Sequence, residues 1–225
     1  MARKKPLQGY SRLPQVELAA ICDTNRAAAE ALAREYGIPR VYTDYRELLQ
    51  VEKPDLVSIC TPNVTHKDIT IAALEQGACV HVEKPMTMNA AEAREVLEAQ
   101  KRTGKLVQVG LNKRFTSAAV LLRRLLEAGY FGEIYQVRCG WERNSGIPGT
   151  GRWFTNRALS GGGALIDLGV HYLDLGMLAM GWPEPEKAVG ALSGCFLDGG
   201  GRIRRGYRSA DGINDVEDSA AGAVR

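Results

Sequence analysis

Short apolar runs alternate with longer amphipathic stretches through the first half of the chain. Val16 to Cys22, Arg40 to Tyr42, Asp55 to Cys60, Ala78 to Val82 and Lys105 to Val109 read as strands, most of them continuous enough to be buried on both faces. Between them lie helical patterns: Arg26 to Tyr36 stopping at Gly37, Tyr45 to Val51 behind Asp44, and Lys67 to Gln76 ending at Gly77. A fourth begins at Asn89, with Glu92 three residues on as a capping box, and reaches Thr103 before Gly104. Strands alternating with helices predict βαβ units, a parallel sheet and right-handed crossovers.

After Asn112 the pattern changes. A helix is expected from Ser117 to Ala128, a turn at Gly129 to Glu133, and a half-buried alternating strand from Ile134 to Trp141. Residues 142 to 163 read as a loop around Trp153. Ala164 to Met180 is apolar almost all round, which predicts a buried helix. Ala188 to Leu197 is strand-like, and a Gly/Arg-rich hairpin or loop is expected near Asp198 to Gly206. The chain therefore divides into an α/β unit over 1–112 and an α+β unit over 113–225.

Composition narrows the function. The net charge of +3 is spread among mixed signs, with no basic block and no aromatic-basic interleaving, which argues against a nucleic-acid partner. No apolar run is long enough for a membrane span. Met1 to Lys5 is basic but lacks a following apolar core, so it is not a secretory signal. The cysteines (Cys22, Cys60, Cys79, Cys139 and Cys195) are odd in number and form no C-x-x-C pair, which suggests small buried hydrophobes in a reducing cytoplasm.

Glu83-Lys84-Pro85 follows the Ala78 to Val82 run. A lysine just past the carboxyl end of a parallel strand sits where open α/β sheets bind ligands. Pro85 cannot donate to a ladder and ends the strand. Asp23 ends an earlier strand; an acid there would accept from an adenosine ribose and favour NAD, the alternative being a cap on the next helix. Arg26 nearby could accommodate the 2′-phosphate of NADP, so both nucleotides stay open. Thr61-Pro62-Asn63, with His66 three residues on, marks a further strand end, either lining a ligand or making a turn. Asp167 and His171 stand four apart on the apolar helix, so they share a face. The acid can orient the imidazole, and the imidazole can transfer a proton near neutrality. Gly161, Gly162 and Gly163 ahead of them would let a flat ligand approach the backbone. A satisfied polar pair is the alternative, and with only His66, His81 and His171 in the chain a metal site is weak.

Val-Glu-Lys-Pro at 82–85, Thr-Pro-Asn at 61–63, Gly-Leu-Asn-Lys-Arg-Phe at 110–115 and Gly-Gly-Gly-Ala-Leu-Ile-Asp-Leu-Gly-Val-His at 161–171 together resemble the glucose–fructose oxidoreductase / inositol dehydrogenase (Gfo/Idh/MocA) family. The resemblance implies a Rossmann-like domain followed by an α+β substrate domain, and a catalytic trio of Lys84, Asp167 and His171. It implies that Asp23, Arg26, Thr61, Pro62, Asn63, His66 and Glu83 face NAD (or NADP), with Asn112 and Trp153 near the nicotinamide and Arg114 near substrate. The implied reaction is reversible hydride transfer between a nicotinamide and a secondary alcohol of a sugar or polyol. The resemblance has gaps. No G-x-G-x-x-G pyrophosphate loop occurs in the sequence, and the chain opens inside what would be the helix after it. It also stops before the last strands expected of the second domain. A non-catalytic binding remnant is therefore the alternative expectation. A sheet face left incomplete would be adhesive, which keeps a homo-oligomer open.

Overall fold

The computed structural model describes residues 4–142, 152–194 and 213–225. The expected hairpin near Asp198 to Gly206, the strand residues beyond Gly194, Cys195 and most of the loop after Glu142 lie outside the described residues. Two compact units are present, one built from residues 1–61 and 65–109, the other from 62–64 and 110–225.

The first unit opens with helix α1 (Lys4–Tyr10) and continues β1 (Ala20–Cys22), α2 (Arg26–Tyr36), β2 (Arg40–Tyr42), α3 (Tyr45–Glu52), β3 (Leu56–Ile59), α4 (His66–Glu75), β4 (Cys79–Val82), α5 (Ala90–Thr103) and β5 (Val107–Val109). Local chemistry sets the helix ends. Asn25 and Asp44 cap α2 and α3, accepting from the amides of Ala28 and Arg46 at 3.1 and 2.8 Å. At α5 the amide of Glu92 donates to Asn89 Oδ1 at 3.0 Å, and Glu92 Oε2 accepts from the amide of Met88, also at 3.0 Å. Gly104 then closes α5 at φ 67°, a left-handed turn that side chains disfavour.

All strand pairings in this unit are parallel, but they fall into two sheets, β1–β2 and β3–β4–β5. In the familiar 3-2-1-4-5-6 order these correspond to 3-2 and 4-5-6, with the strand between them not among the described residues. The core lies under the three-stranded sheet. Leu74, Val80 and Val82 are buried with Leu49, Ile59, Ile69, Ala73 and Ala99. Burying each large aliphatic side chain here contributes about 1.5–3 kcal/mol.

The second unit holds α6 (Ser117–Glu127), the short α7 (Arg157–Ser160), a π turn over Leu165–Gly169, α8 (Val170–Ala179), and an antiparallel pair of β6 (Ala188–Ser193) with β7 (Ser219–Val224). Two expectations for this unit need correction. Residues 134–141 form no strand; the segment lies against α8, where Trp141 stacks on Tyr172 and Cys139 approaches Gly176, and no described strand pairs with it. Helix α8 is not buried all round: only His171 and Asp174 are, and Leu173 is 47% exposed. The exposed β6–β7 pair gives its apolar positions no covering layer among the described residues of this unit. Finally, Cys22, Cys60 and Cys79 are half-buried and Cys139 is exposed, not core residues; no disulfide joins them.

Candidate active site

In the first unit the groups singled out by sequence gather at the carboxyl ends of strands. Asp23 follows β1, half-buried, and its Oδ1 accepts from the Asn25 amide at 2.9 Å. One side of this carboxylate thus shapes the turn into α2. Arg26 lies on the exposed face of α2, paired with Glu30 at 3.0 Å. Glu83 and Lys84 follow β4. The Glu83 amide donates to Ile59 O at 2.9 Å, extending the β3–β4 ladder by one bond, and Glu83 Oε2 accepts from the Lys84 amide at 3.3 Å. Lys84 is half-buried, the Lys84–Pro85 peptide is cis, and Pro85 is buried. Thr61 follows β3, its hydroxyl accepting from Thr65 at 2.7 Å.

His66 starts α4 and is wholly buried. Its Nδ1 lies 2.7 Å from Pro85 O and its Nε2 3.0 Å from Thr61 O. Both ring nitrogens are thus engaged by backbone carbonyls. Burial pushes its pKa below the ordinary histidine range, opposed by the two carbonyls and the Glu83 carboxylate.

In the second unit Asn63 is buried and donates to Ser160 O at 2.8 Å, just before Gly161. Asn112 is exposed and opens a 3-10 turn through Phe115. Arg114 donates to both carboxylate oxygens of buried Asp174 and lies 4.8 Å over the Trp182 ring. Its guanidinium is raised above its ordinary pKa, chiefly by the Asp174 hydrogen bonds. Trp153 is half-buried with its ring against Phe154. Asp167 sits in the π turn and His171, buried, just past it. Val170 N–H reaches back five residues to Leu165 O, so the chain between the acid and the histidine is wider than an α-helix. Such turns recur at functional sites.

Sequence reasoning missed two residues. Asp174, the anchor for Arg114, lies three after His171, and a lone acid on an apolar helix was the available signal. Glu217 is buried; its Oε1 accepts from the Leu165 amide at 3.2 Å and its carbonyl from the Ala164 amide at 3.0 Å. It occupies the space the glycines leave: a Cβ on Gly163 would stand 1.8 Å from Glu217 O. At Gly163 that close approach is made by the protein's own backbone.

Among the described residues no cluster of three His, Cys, Asp or Glu could hold a metal ion, and no helix is long and apolar enough to cross a membrane.

Parallel strands alternating with helices, with an acid, a polar turn and a lysine past the ends of β1, β3 and β4, define a dinucleotide-binding type of α/β unit, followed in the chain by an α+β unit. Residues 1–111 match the oxidoreductase family with an NAD-binding Rossmann fold, and residues 120–225 match the GFO/IDH/MocA C-terminal domain. The chain belongs to the Gfo/Idh/MocA family. It is 40% identical to D-glucoside 3-dehydrogenase of Escherichia coli K12 over 82% of this chain and 52% of that protein. It is 34% identical to scyllo-inositol 2-dehydrogenase (NAD(+)) of Bacillus subtilis 168, over 75% and 48%. Among solved structures, an oxidoreductase domain protein from Kribbella flavida aligns with a TM-score of 0.84 at 27% identity, over 99% of this chain and 60% of that one. Levoglucosan dehydrogenase in complex with NADH aligns at 0.78 and 26%, over 92% and 54%. The chain spans about half the length of the curated relatives it matches.

The described residues fit part of an NAD molecule. The Asp23 carboxylate at the end of β1 is of the type that accepts from a ribose, and Thr61, Glu83 and Lys84 carry polar groups past the ends of β3 and β4. For the pyrophosphate the sequence offers no glycine loop.

Proposed function

We propose that this chain carries the site of an NAD(P)-dependent oxidoreductase that acts on a secondary alcohol of a cyclic sugar or polyol. The observation that carries the reading is Lys84, half-buried at the carboxyl end of β4, in a chain that matches both family domains and keeps Asp167 and His171 at the π turn. The names of the relatives, a glucoside and an inositol dehydrogenase, support the substrate class. When bound, NAD supplies the hydride acceptor, held at its ribose by Asp23 and beside Thr61 and Glu83. His171 takes the hydroxyl proton as general base. Asp167 orients the imidazole. Lys84 donates a hydrogen bond to the reacting oxygen and stabilises the charge that develops there. NADP is the other nucleotide to test, with Arg26 as its phosphate partner.

The divided parallel sheet favours a second reading, a nucleotide- or sugar-binding remnant without turnover. One series of measurements separates the two. Thermal melts of the 225-residue chain are recorded with and without NAD and NADP, since a ligand that binds only the folded state raises the midpoint. NADH formation is then followed across a panel of polyols. Nucleotide-dependent stabilisation with turnover that falls about 10²–10³-fold in Lys84→Ala supports the enzyme. A cooperative melt shifted by ligand, without turnover on any polyol, supports the remnant.

A further inference from the structure

We propose that His66 is a positioning residue that clamps the Glu83-Lys84-Pro85 turn to the Thr61-Pro62 turn, so that its imidazole serves the protein backbone and not the nucleotide. The geometry is specific. β3 and β4 are adjacent parallel strands in register from Leu56↔Cys79 to Ile59↔Val82. Their ladder ends with the Glu83 amide on Ile59 O. Beyond that bond His66 bridges the two chains through its ring. One ring edge meets Pro85 O at 2.7 Å, the other Thr61 O at 3.0 Å.

Both carbonyls can only accept, so the neutral ring, with one N–H, hydrogen-bonds one of them and packs its other nitrogen against the second, while the imidazolium would donate to both. A side chain with no solvent exposure cannot exchange these partners for water, and a buried carbonyl left unpaired is costly. Pro85 is also buried, and its missing N–H leaves its carbonyl as the one backbone group by which that residue can be held. Lys84 is the residue immediately before it. Fixing Pro85 O therefore fixes the direction in which the Lys84 side chain leaves the sheet edge. That Lys84 is a catalytic group rests on the proposed function; the clamp itself does not.

The test compares three variants that keep side-chain bulk. His66→Asn retains a donor near the Nδ1 position, His66→Gln one near Nε2, and His66→Phe neither. Thermal melts identify folded variants, and amide hydrogen exchange by mass spectrometry reads the Glu83–Met88 and Thr61–Thr65 segments separately. The clamp requires roughly tenfold faster exchange in the Phe variant in the segment whose carbonyl the ring N–H holds, with that protection kept by Asn where the segment is 83–88 and by Gln where it is 61–65. Equal exchange in all folded variants overturns it, because a ring that merely fills space would be replaced by Phe without effect. The unsubstituted chain gives a check that needs no variant: nitrogen-correlated NMR of the His66 ring must show at least one imidazole N–H protected from solvent, and rapid exchange at both nitrogens overturns the proposal. Turnover is a separate arm. With an active wild type, the folded Phe variant is expected to lose kcat while the KM for nucleotide is held. An inactive wild type counts against the proposed function and leaves the exchange result to decide the clamp.

Discussion

Burial holds the His66 imidazole below the ordinary histidine range, and Glu83 and the two carbonyls only partly counter it. Lys84, the other charge facing the ring, pushes in the same direction as burial. The sign for stability follows from proton binding. Below the ordinary histidine value the unfolded chain takes a proton that the folded chain refuses, so folding loses stability as pH falls through that range and keeps it in full above. We expect the melting midpoint to drop between about pH 8 and about pH 5, and to drop less in His66→Asn; parallel profiles in the two proteins would refute it. Arg114 makes a second prediction at this scale. Its guanidinium donates to both oxygens of buried Asp174 and lies over the Trp182 ring. Arg114→Ala leaves a buried carboxylate without its partner and should cost about 2–3 kcal/mol in urea unfolding, somewhat below a fully buried pair because the guanidinium is one-third exposed. Asp174→Asn and the double variant complete a cycle, and purely additive losses would contradict the coupling.

At the scale of elements, the local signals were legible. Asn25, Asp44 and the Asn89–Glu92 box start helices where their side chains predict, because capping depends on neighbours in sequence. The strands of the first unit also fall within their apolar runs. What could not be read was non-local. The run from Ile134 to Trp141 alternates like a strand, but a strand exists only with a partner, and none among the described residues pairs with it. The glycines before Asp167 suggested room for a ligand, because nothing near them in sequence hints at Glu217 more than fifty residues on. In the structure Glu217 places a carboxylate at the amides that begin the turn carrying Asp167 and His171, where an anion is favoured. Gly163→Ala tests this packing. Its Cβ would overlap a backbone oxygen that cannot swing away, so a loss on the order of 3 kcal/mol is expected. Gly162→Ala is the control: its nearest neighbour is the Ile166 side chain at 3.1 Å, which can shift, and the cost should stay below about 1 kcal/mol. Similar denaturation midpoints for the two variants would rule out the close approach of Glu217.

At the scale of the whole molecule, the division of the parallel sheet has physical consequences. Parallel strands are ordinarily buried within a continuous sheet, and a strand edge exposes a row of amides and carbonyls able to recruit another chain. Here β1–β2 and β3–β4–β5 are separate, so β1 and β3 each keep an edge with no described strand beside it. Leu56, at the start of β3, is 46% exposed, an apolar side chain next to those open groups. The expected outcome is self-association through these edges, growing with protein concentration. Sedimentation velocity over a hundredfold range of concentration, about 1 to 100 µM, measures it. Leu56→Lys places a charge at the edge, the usual way natural sheets prevent such pairing, and should move the equilibrium toward monomer without lowering the melting midpoint by more than about 0.5 kcal/mol equivalent. NAD provides the complementary arm. If it binds across the strand ends at Asp23, Thr61 and Glu83, it should compete with edge pairing and reduce association at fixed protein concentration. A chain that stays monomeric throughout would show that the edges are covered in solution. Association that ignores both Leu56→Lys and nucleotide would place the contact elsewhere, and the exposed β6–β7 pair would be the surface to substitute next.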